Sequence, residues 1–231
     1  MKVFAISDLH LSINNPKPMD IFGPAWENYV DTIFSDWKEK VTKDDVVIIA
    51  GDISWAMNLE DAVSDINLIA QNAGNKIIIR GNHDYWWGTI SKVRSILPEK
   101  FYAIQNDAIK IGDKVFCGSR AWGLAEKGVL DEEDQKIVDR ELIRLKMSFD
   151  MAKTLTDNSE DIICILHYPP FNSKREDSVF TKLIEEYNIK TVVYGHLHGP
   201  QCKADTVVEK NGVRYYLTSC DKLGNKLIEI K

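Results

Sequence analysis

Cysteine is scarce in this chain and its four copies are widely separated: Cys117, Cys164, Cys202 and Cys220 lie far apart with no CxxC. That spacing argues against disulfide or metal-ligand roles, and Cys117 and Cys164 sit inside apolar strand-like runs, so the thiols read as buried and free. Long apolar runs are missing too. The first one, Val3 to Ile6, is far shorter than the hydrophobic region of a signal peptide, and no later stretch approaches a membrane span, which predicts a soluble cytoplasmic protein without a membrane partner. Lys and Arg form no stripe, and 29 of them against 35 Asp and Glu give a net charge of −6, which disfavours long nucleic acids as partners. A small anionic substrate is still allowed, because bound divalent ions reverse the field of nearby carboxylates. No repeat, low-complexity tract or Pro/Gly-rich linker interrupts the 231 residues, so the expectation is one catalytic domain over residues 1–231. Protein partners are left open by the sequence.

What is present alternates. Short β-branched runs at Val3 to Ile6, Val46 to Ala50, Ile77 to Ile79, Val115 to Cys117, Ile162 to Leu166 and Thr191 to Tyr194 read as strands buried on both faces. Between them, Trp26 to Val41, Leu59 to Asn72, Thr89 to Leu97, Glu132 to Leu155 and Val179 to Tyr187 carry apolar residues at helical spacing. Thr206 to Glu209 and Val213 to Leu217 flank Asn211-Gly212 as a hairpin, and Leu227 to Ile230 closes the sheet. The pattern is α/β. Ser12 to Pro24 and Arg120 to Asp131 read as surface connections, with substrate lids as the alternative.

The histidines are the most informative residues. There are five, His10, His83, His167, His196 and His198, and each falls at a predicted strand exit. Asp8, Asp52 and Asn82 occupy the same exits. Residues just beyond the carboxyl ends of parallel strands converge on one crevice, so parallel strands would gather all of these into one site. Carboxylates, imidazoles and an amide oxygen form a mixed ligand set suited to Mn, Fe or Zn, and there are more groups than one four-coordinate ion uses. Two ions sharing a carboxylate use them better.

The blocks Asp8-Leu9-His10, Gly51-Asp52, Gly81-Asn82-His83-Asp84, His167 and Gly195-His196-Leu197-His198, in that order, resemble the calcineurin-like metallophosphoesterases. The resemblance implies a fold of two stacked mixed β-sheets flanked by helices, a four-layer α/β/β/α sandwich, and two divalent or trivalent transition-metal ions. It implies that Asp8, His10 and His198 hold one ion and Asn82, His167 and His196 the other, with Asp52 bridging. The activity implied is hydrolysis of phosphoric mono- or diesters by a metal-bridging hydroxide. His83 is then the general acid that protonates the leaving oxygen, and Asn82 and His83 are the residues placed against substrate. The glycines before Asp52, Asn82 and His196 suit tight turns that aim side chains at the metals. Asp84 reads as a plain turn carboxylate, with a loop-orienting role as the alternative.

One departure bears on substrate. The protein Ser/Thr phosphatase branch continues its second block as GDxxDRG, whereas this chain reads Gly51-Asp52-Ile53-Ser54-Trp55-Ala56-Met57. Trp55, Tyr85, Trp86, Trp87 and Tyr168 crowd the motifs; each singly reads as packing, and together they suggest a flat, nucleotide-like or aryl group on a small phosphorylated substrate. Arg120 reads as a surface arginine, with a phosphate clamp as the alternative. Two other functions stay open: a non-catalytic metal-binding scaffold for protein partners, and a nuclease acting on small nucleic-acid substrates.

Overall fold

The structure is a computed structural model that describes residues 1–231. Its first half alternates strand and helix: β1 (Val3–Ile6), α1 (Tyr29–Lys40), β2 (Val46–Ile49), α2 (Leu59–Ala70), β3 (Asn75–Ile78), α3 (Ile90–Ile96) and β4 (Phe101–Ala103). The second half runs β5 (Ala108–Ile111), β6 (Lys114–Ser119), α4 (Glu132–Leu155), β7 (Ile162–Leu166), α5 (Val179–Glu186), β8 (Thr191–Tyr194), β9 (Val207–Lys210), β10 (Val213–Leu217) and β11 (Ile228–Ile230).

Two sheets result, ordered β11-β1-β2-β3-β4 and β5-β6-β7-β8-β10-β9. β1 to β4 run parallel, as do β6, β7, β8 and β10, while β11, β5 and β9 are antiparallel edges. The strands read as apolar on both faces because both faces are covered. Val3, Ala5, Val46, Ile48 and Ile77 of the first sheet pack on Phe116, Ile163, Ile165, Val193 and Tyr216 of the second. Alternate residues Phe4, Ile6, Val47, Ile49 and Ile78 face α1, α2 and α3 with Trp37, Ile66 and Val93. Val115, Cys117, Cys164 and Val192 face α4 and α5 with Leu145, Phe149 and Phe180. The layers are therefore α/β/β/α. Each fully buried aliphatic side chain of the middle layer contributes about 1.5–3 kcal/mol, which is why this dry interface holds the two sheets in register with each other.

Local chemistry sets the element ends. Asp131 caps α4 by accepting from the Glu133 and Asp134 amides, and Ser178 and Thr181 form a reciprocal cap on α5. α1 starts three residues later than its periodicity predicts, because Pro24–Trp26 form a separate 3₁₀ turn and Asn28 is left-handed at φ 50°. The turn at Asn211 (φ 52°) and Gly212 (φ 74°) has the two positive dihedrals of a primed hairpin. All four cysteines are free, three of them buried and Cys202 half-buried. No helix is long and apolar enough to cross a membrane.

Candidate metal centre

Because β1, β2, β3, β7 and β8 point the same way within their sheets, the loops after them meet at one end of the sandwich. Asp8, His10, Asp52, Asn82 and His83 come from the first sheet, and His167, His196 and His198 from the second. Four of these residues hold a left-handed backbone: Asp8 (φ 58°), His10 (φ 45°), Asp52 (φ 52°) and His196 (φ 70°). Such conformations cost a non-glycine residue about 1–3 kcal/mol each and persist where surrounding structure over-determines them. Here the ladder does so: Ser7 pairs with Ser219 and Leu11 with Ser54 as isolated bridges, and the Asp8 and His10 amides donate to Gly51 O and Asp52 O.

All eight sequence-predicted residues converge. Asp8, His10 and His198 bring ligand atoms within 4.8 Å of one another, as do Asp8, Asp52 and His167. Asn82 Oδ1 lies 2.8 Å from His167 Nε2 and 2.9 Å from His196 Nδ1. Asp52 Oδ2 lies 3.8 Å from His10 Nε2 and 3.5 Å from His167 Nε2. Both carboxylates are fully buried, as is His167. His10 Nδ1 and Nε2, Asp52 Oδ2 and His83 Nδ1 are buried with no hydrogen-bond partner. Buried polar atoms are almost always paired, so a concentration of orphans among carboxylates and imidazoles fits a cation as their missing partner.

The protonation pattern fits as well. Burial lowers His10 to about 3 and His196 to about 4, leaving neutral rings with a free lone pair. Burial alone would lower His167 too, but the Asp52 charge and hydrogen bond, with Asp8, raise it to about 9. Its Nδ1 lies 2.9 Å from Ala50 O and so donates there, which turns Nε2 toward Asp52 and Asn82. Burial pushes Asp8 up, and Asp52, although burial opposes it, is held below the usual carboxylate range by His167, His10 and the His83 amide.

Three supports are only partly legible in the sequence. Gly51 (φ 88°) does need its positive dihedral, but Gly81 is required for close approach rather than a turn: a Cβ there would meet Asp52 Oδ1 at 2.1 Å. Asp84 is not the plain turn carboxylate that its place in the motif suggests. It is fully buried, and its Oδ2 accepts from Asp52 N (3.0 Å) and Gly81 N (2.7 Å) while Oδ1 accepts from Ile53 N (2.9 Å), Ser54 N (3.2 Å) and Trp86 Nε1 (3.0 Å). Ser7 carries no signal in the sequence, yet its Oγ donates to Asp8 Oδ2 at 2.6 Å.

The aromatic residues divide. Trp86 and Trp87 are buried core. Trp55 stacks on His10 at 4.7 Å with Lys17 over the ring at 4.4 Å, so it is packed against the site rather than standing open. Lys17 belongs to the Ser12 to Pro24 stretch, which is tied to α2 through Ile13 N to Asp65 Oδ1 (3.0 Å) and Asn14 Nδ2 to Ser64 Oγ (2.8 Å). Tyr168 packs on His196 at 4.2 Å. Tyr85 alone is half exposed, 6.1 Å from His83. Trp26, whose spacing predicts a helix residue, instead sits 6.0 Å from His10 and 5.9 Å from His198. Arg120 is half-buried rather than on the surface, and its carbonyl accepts from the His167 and Tyr168 amides.

The model of the calcineurin-like phosphoesterase family matches residues 1–200, and the chain belongs to that family. It is a metal-dependent phosphoesterase, and the Asp and His cluster described above could bind the divalent ions that the family uses. Its fold is shared with a protein of unknown function from Aquifex aeolicus (15% identity, TM-score 0.51, covering 99% of this chain and 95% of that one). It is shared also with a phosphopantetheinyl hydrolase from Mycobacterium tuberculosis (15% identity, TM-score 0.52, covering 94% and 88%). A search of the curated proteins finds no match.

Proposed function

We propose that the protein hydrolyses small phosphoric esters at a pair of metal ions, with Asp8, His10 and His198 holding one, Asn82, His167 and His196 the other, and Asp52 serving both. The observation that carries this reading is Asp52 Oδ2, buried without a partner between an imidazole of each ligand set. The chemistry such ions supply is Lewis acidity, which acidifies a water toward neutrality and offsets charge on the phosphoryl oxygens. The chain's own groups do the rest. Asp52 Oδ1 accepts the His83 amide at 2.8 Å and so fixes the loop that carries the ring. Trp55, 4.6 Å away, walls one side of that ring. His83 Nδ1 is enclosed, so Nε2 is the nitrogen that can hand a proton to the leaving oxygen. Burial lowers its proton affinity and the Asp52 charge partly restores it.

The test is steady-state hydrolysis by Mn²⁺-reconstituted protein of a chromogenic aryl phosphate monoester and the matching diester, with chelated protein as control. Turnover that vanishes on chelation supports the reading, and the ratio of the two rates gives the ester class; metal binding without cleavage of either ester would turn the reading toward a scaffold. His83→Gln separates the general acid from a bystander. It should slow an alkyl ester, whose leaving oxygen needs a proton, by about 10²–10⁴-fold while slowing a nitrophenyl ester far less. Equal losses on both esters would remove His83 from that role.

A further inference from the structure

A second polar cleft adjoins the metal centre, and three arginines converge on it. It has a volume of about 80 Å³ and is lined by Arg80, Arg120, Arg144, Glu141 and Gln105, with Gly88 at its wall. Each arginine comes from a different element: Arg80 directly precedes the Gly81-Asn82-His83 block, Arg120 follows β6, and Arg144 lies on α4. The cleft is coupled to the metal loops by backbone, since Arg120 O accepts from His167 N at 3.2 Å and Tyr168 N at 3.0 Å.

The charge there does not balance. Glu141 is the one carboxylate lining the cleft, and it is engaged by Arg144 at 2.6 Å. The guanidinium groups of Arg80 and Arg120 make no hydrogen bond to any protein acceptor, and Arg80 Nε is buried. Arg120 Cζ lies over the Trp122 ring at 4.5 Å, a contact that uses none of its N–H donors. Each guanidinium carries five donors in a fork that matches phosphate oxygens, and Glu141 offsets only one of the three positive charges, so an anion in the cavity would be held by the donors of Arg80 and Arg120 that remain free.

We propose that Arg80, Arg120 and Arg144 form a second oxyanion site that takes a dianionic phosphoryl group other than the one being hydrolysed. As a binding site it stands on its own geometry; its link to substrate, a molecule with two phosphoryl groups, rests on the hydrolytic reading. The same chemistry is offered by free phosphate, and the experiment distinguishes the two.

Calorimetric titration of inorganic phosphate into chelated protein should show binding that weakens by about tenfold or more in Arg144→Gln and is unchanged in Asp52→Asn. Gly88→Asp is the variant that takes no contact from the fold: a Cβ there meets nothing within 4 Å. Its carboxylate should weaken phosphate binding at least as much. Phosphate affinity that is equal in wild type and both cleft variants, or absent at millimolar phosphate in wild type, overturns the site. With metal-loaded enzyme, a nucleoside bisphosphate is then compared with the matching monophosphate. A KM raised in Gly88→Asp for the bisphosphate alone identifies the substrate's second phosphoryl group as the occupant. Unchanged KM values with phosphate binding lost identify free phosphate instead. If neither ester is cleaved while the cleft variants still lose phosphate, the hydrolytic reading fails and the oxyanion site stands.

Discussion

Asp52→Asn is expected to lower turnover of any phosphoric ester by about 10³-fold or more, since the several kcal/mol of charge stabilisation supplied by a correctly held metal site converts to that factor. The reason lies in which oxygen is replaced. Oδ1 must go on accepting the His83 amide, so the new amide nitrogen takes the place of Oδ2, which faces His10 Nε2 at 3.8 Å and His167 Nε2 at 3.5 Å. An N–H donor then faces the two imidazoles where the proposed function needs a carboxylate oxygen. The side chain is nearly isosteric, so the circular dichroism spectrum should match wild type while metal content, read by elemental analysis after desalting, drops. A variant that keeps its metal and turns over within tenfold of wild type would remove Asp52 from the centre of the proposal.

Asp84→Ala should produce the largest loss of stability of any single substitution near the site. Five N–H groups converge on this carboxylate, four of them backbone amides of the second and third motifs. Removing it strands several buried donors at about 1–3 kcal/mol each, partly relieved by relaxation. A net loss of about 3–5 kcal/mol is expected, which lowers the melting temperature by roughly 10 °C in a chain of this size. Asp84→Asn retains one full acceptor oxygen and should fall between. Thermal unfolding of both variants checks the order; an Asp84→Ala protein as stable as wild type would mean that the loops do not depend on this clamp.

The contrast between Asp52 and Asp84 marks what a sequence can disclose. Histidines confined to strand exits, with Asp8, Asp52 and Asn82 among them, expose the site because strand ends are legible from periodicity and parallel strands deliver their exits to one edge. Asp84 escapes because its partners lie up to 32 residues away and are backbone amides, which have no sequence signature. β4 and β5 escape for a different reason. They are an edge strand of three residues and one of four, and Lys110 interrupts the second with an exposed charge, so neither shows a long apolar run. Of the arginine cleft only Arg120 is legible, as the alternative phosphate clamp, because Arg80 and Arg144 are brought to it only by stacking one sheet and its helix against the other.

The left-handed backbone at Asp8, His10, Asp52 and His196 also sets a direction for change in this protein. Selection for thermal stability alone, applied to chelated protein without any demand for turnover, should drift toward glycine at all four positions, which frees the dihedral, and toward asparagine at Asp8 and Asp52, which removes a buried carboxylate. Selection for turnover should hold them fixed. On the proposed function these loops would carry a standing conflict between durability and catalysis, and a screen run under each pressure separately would show whether the two populations of sequences part at these four residues and agree elsewhere.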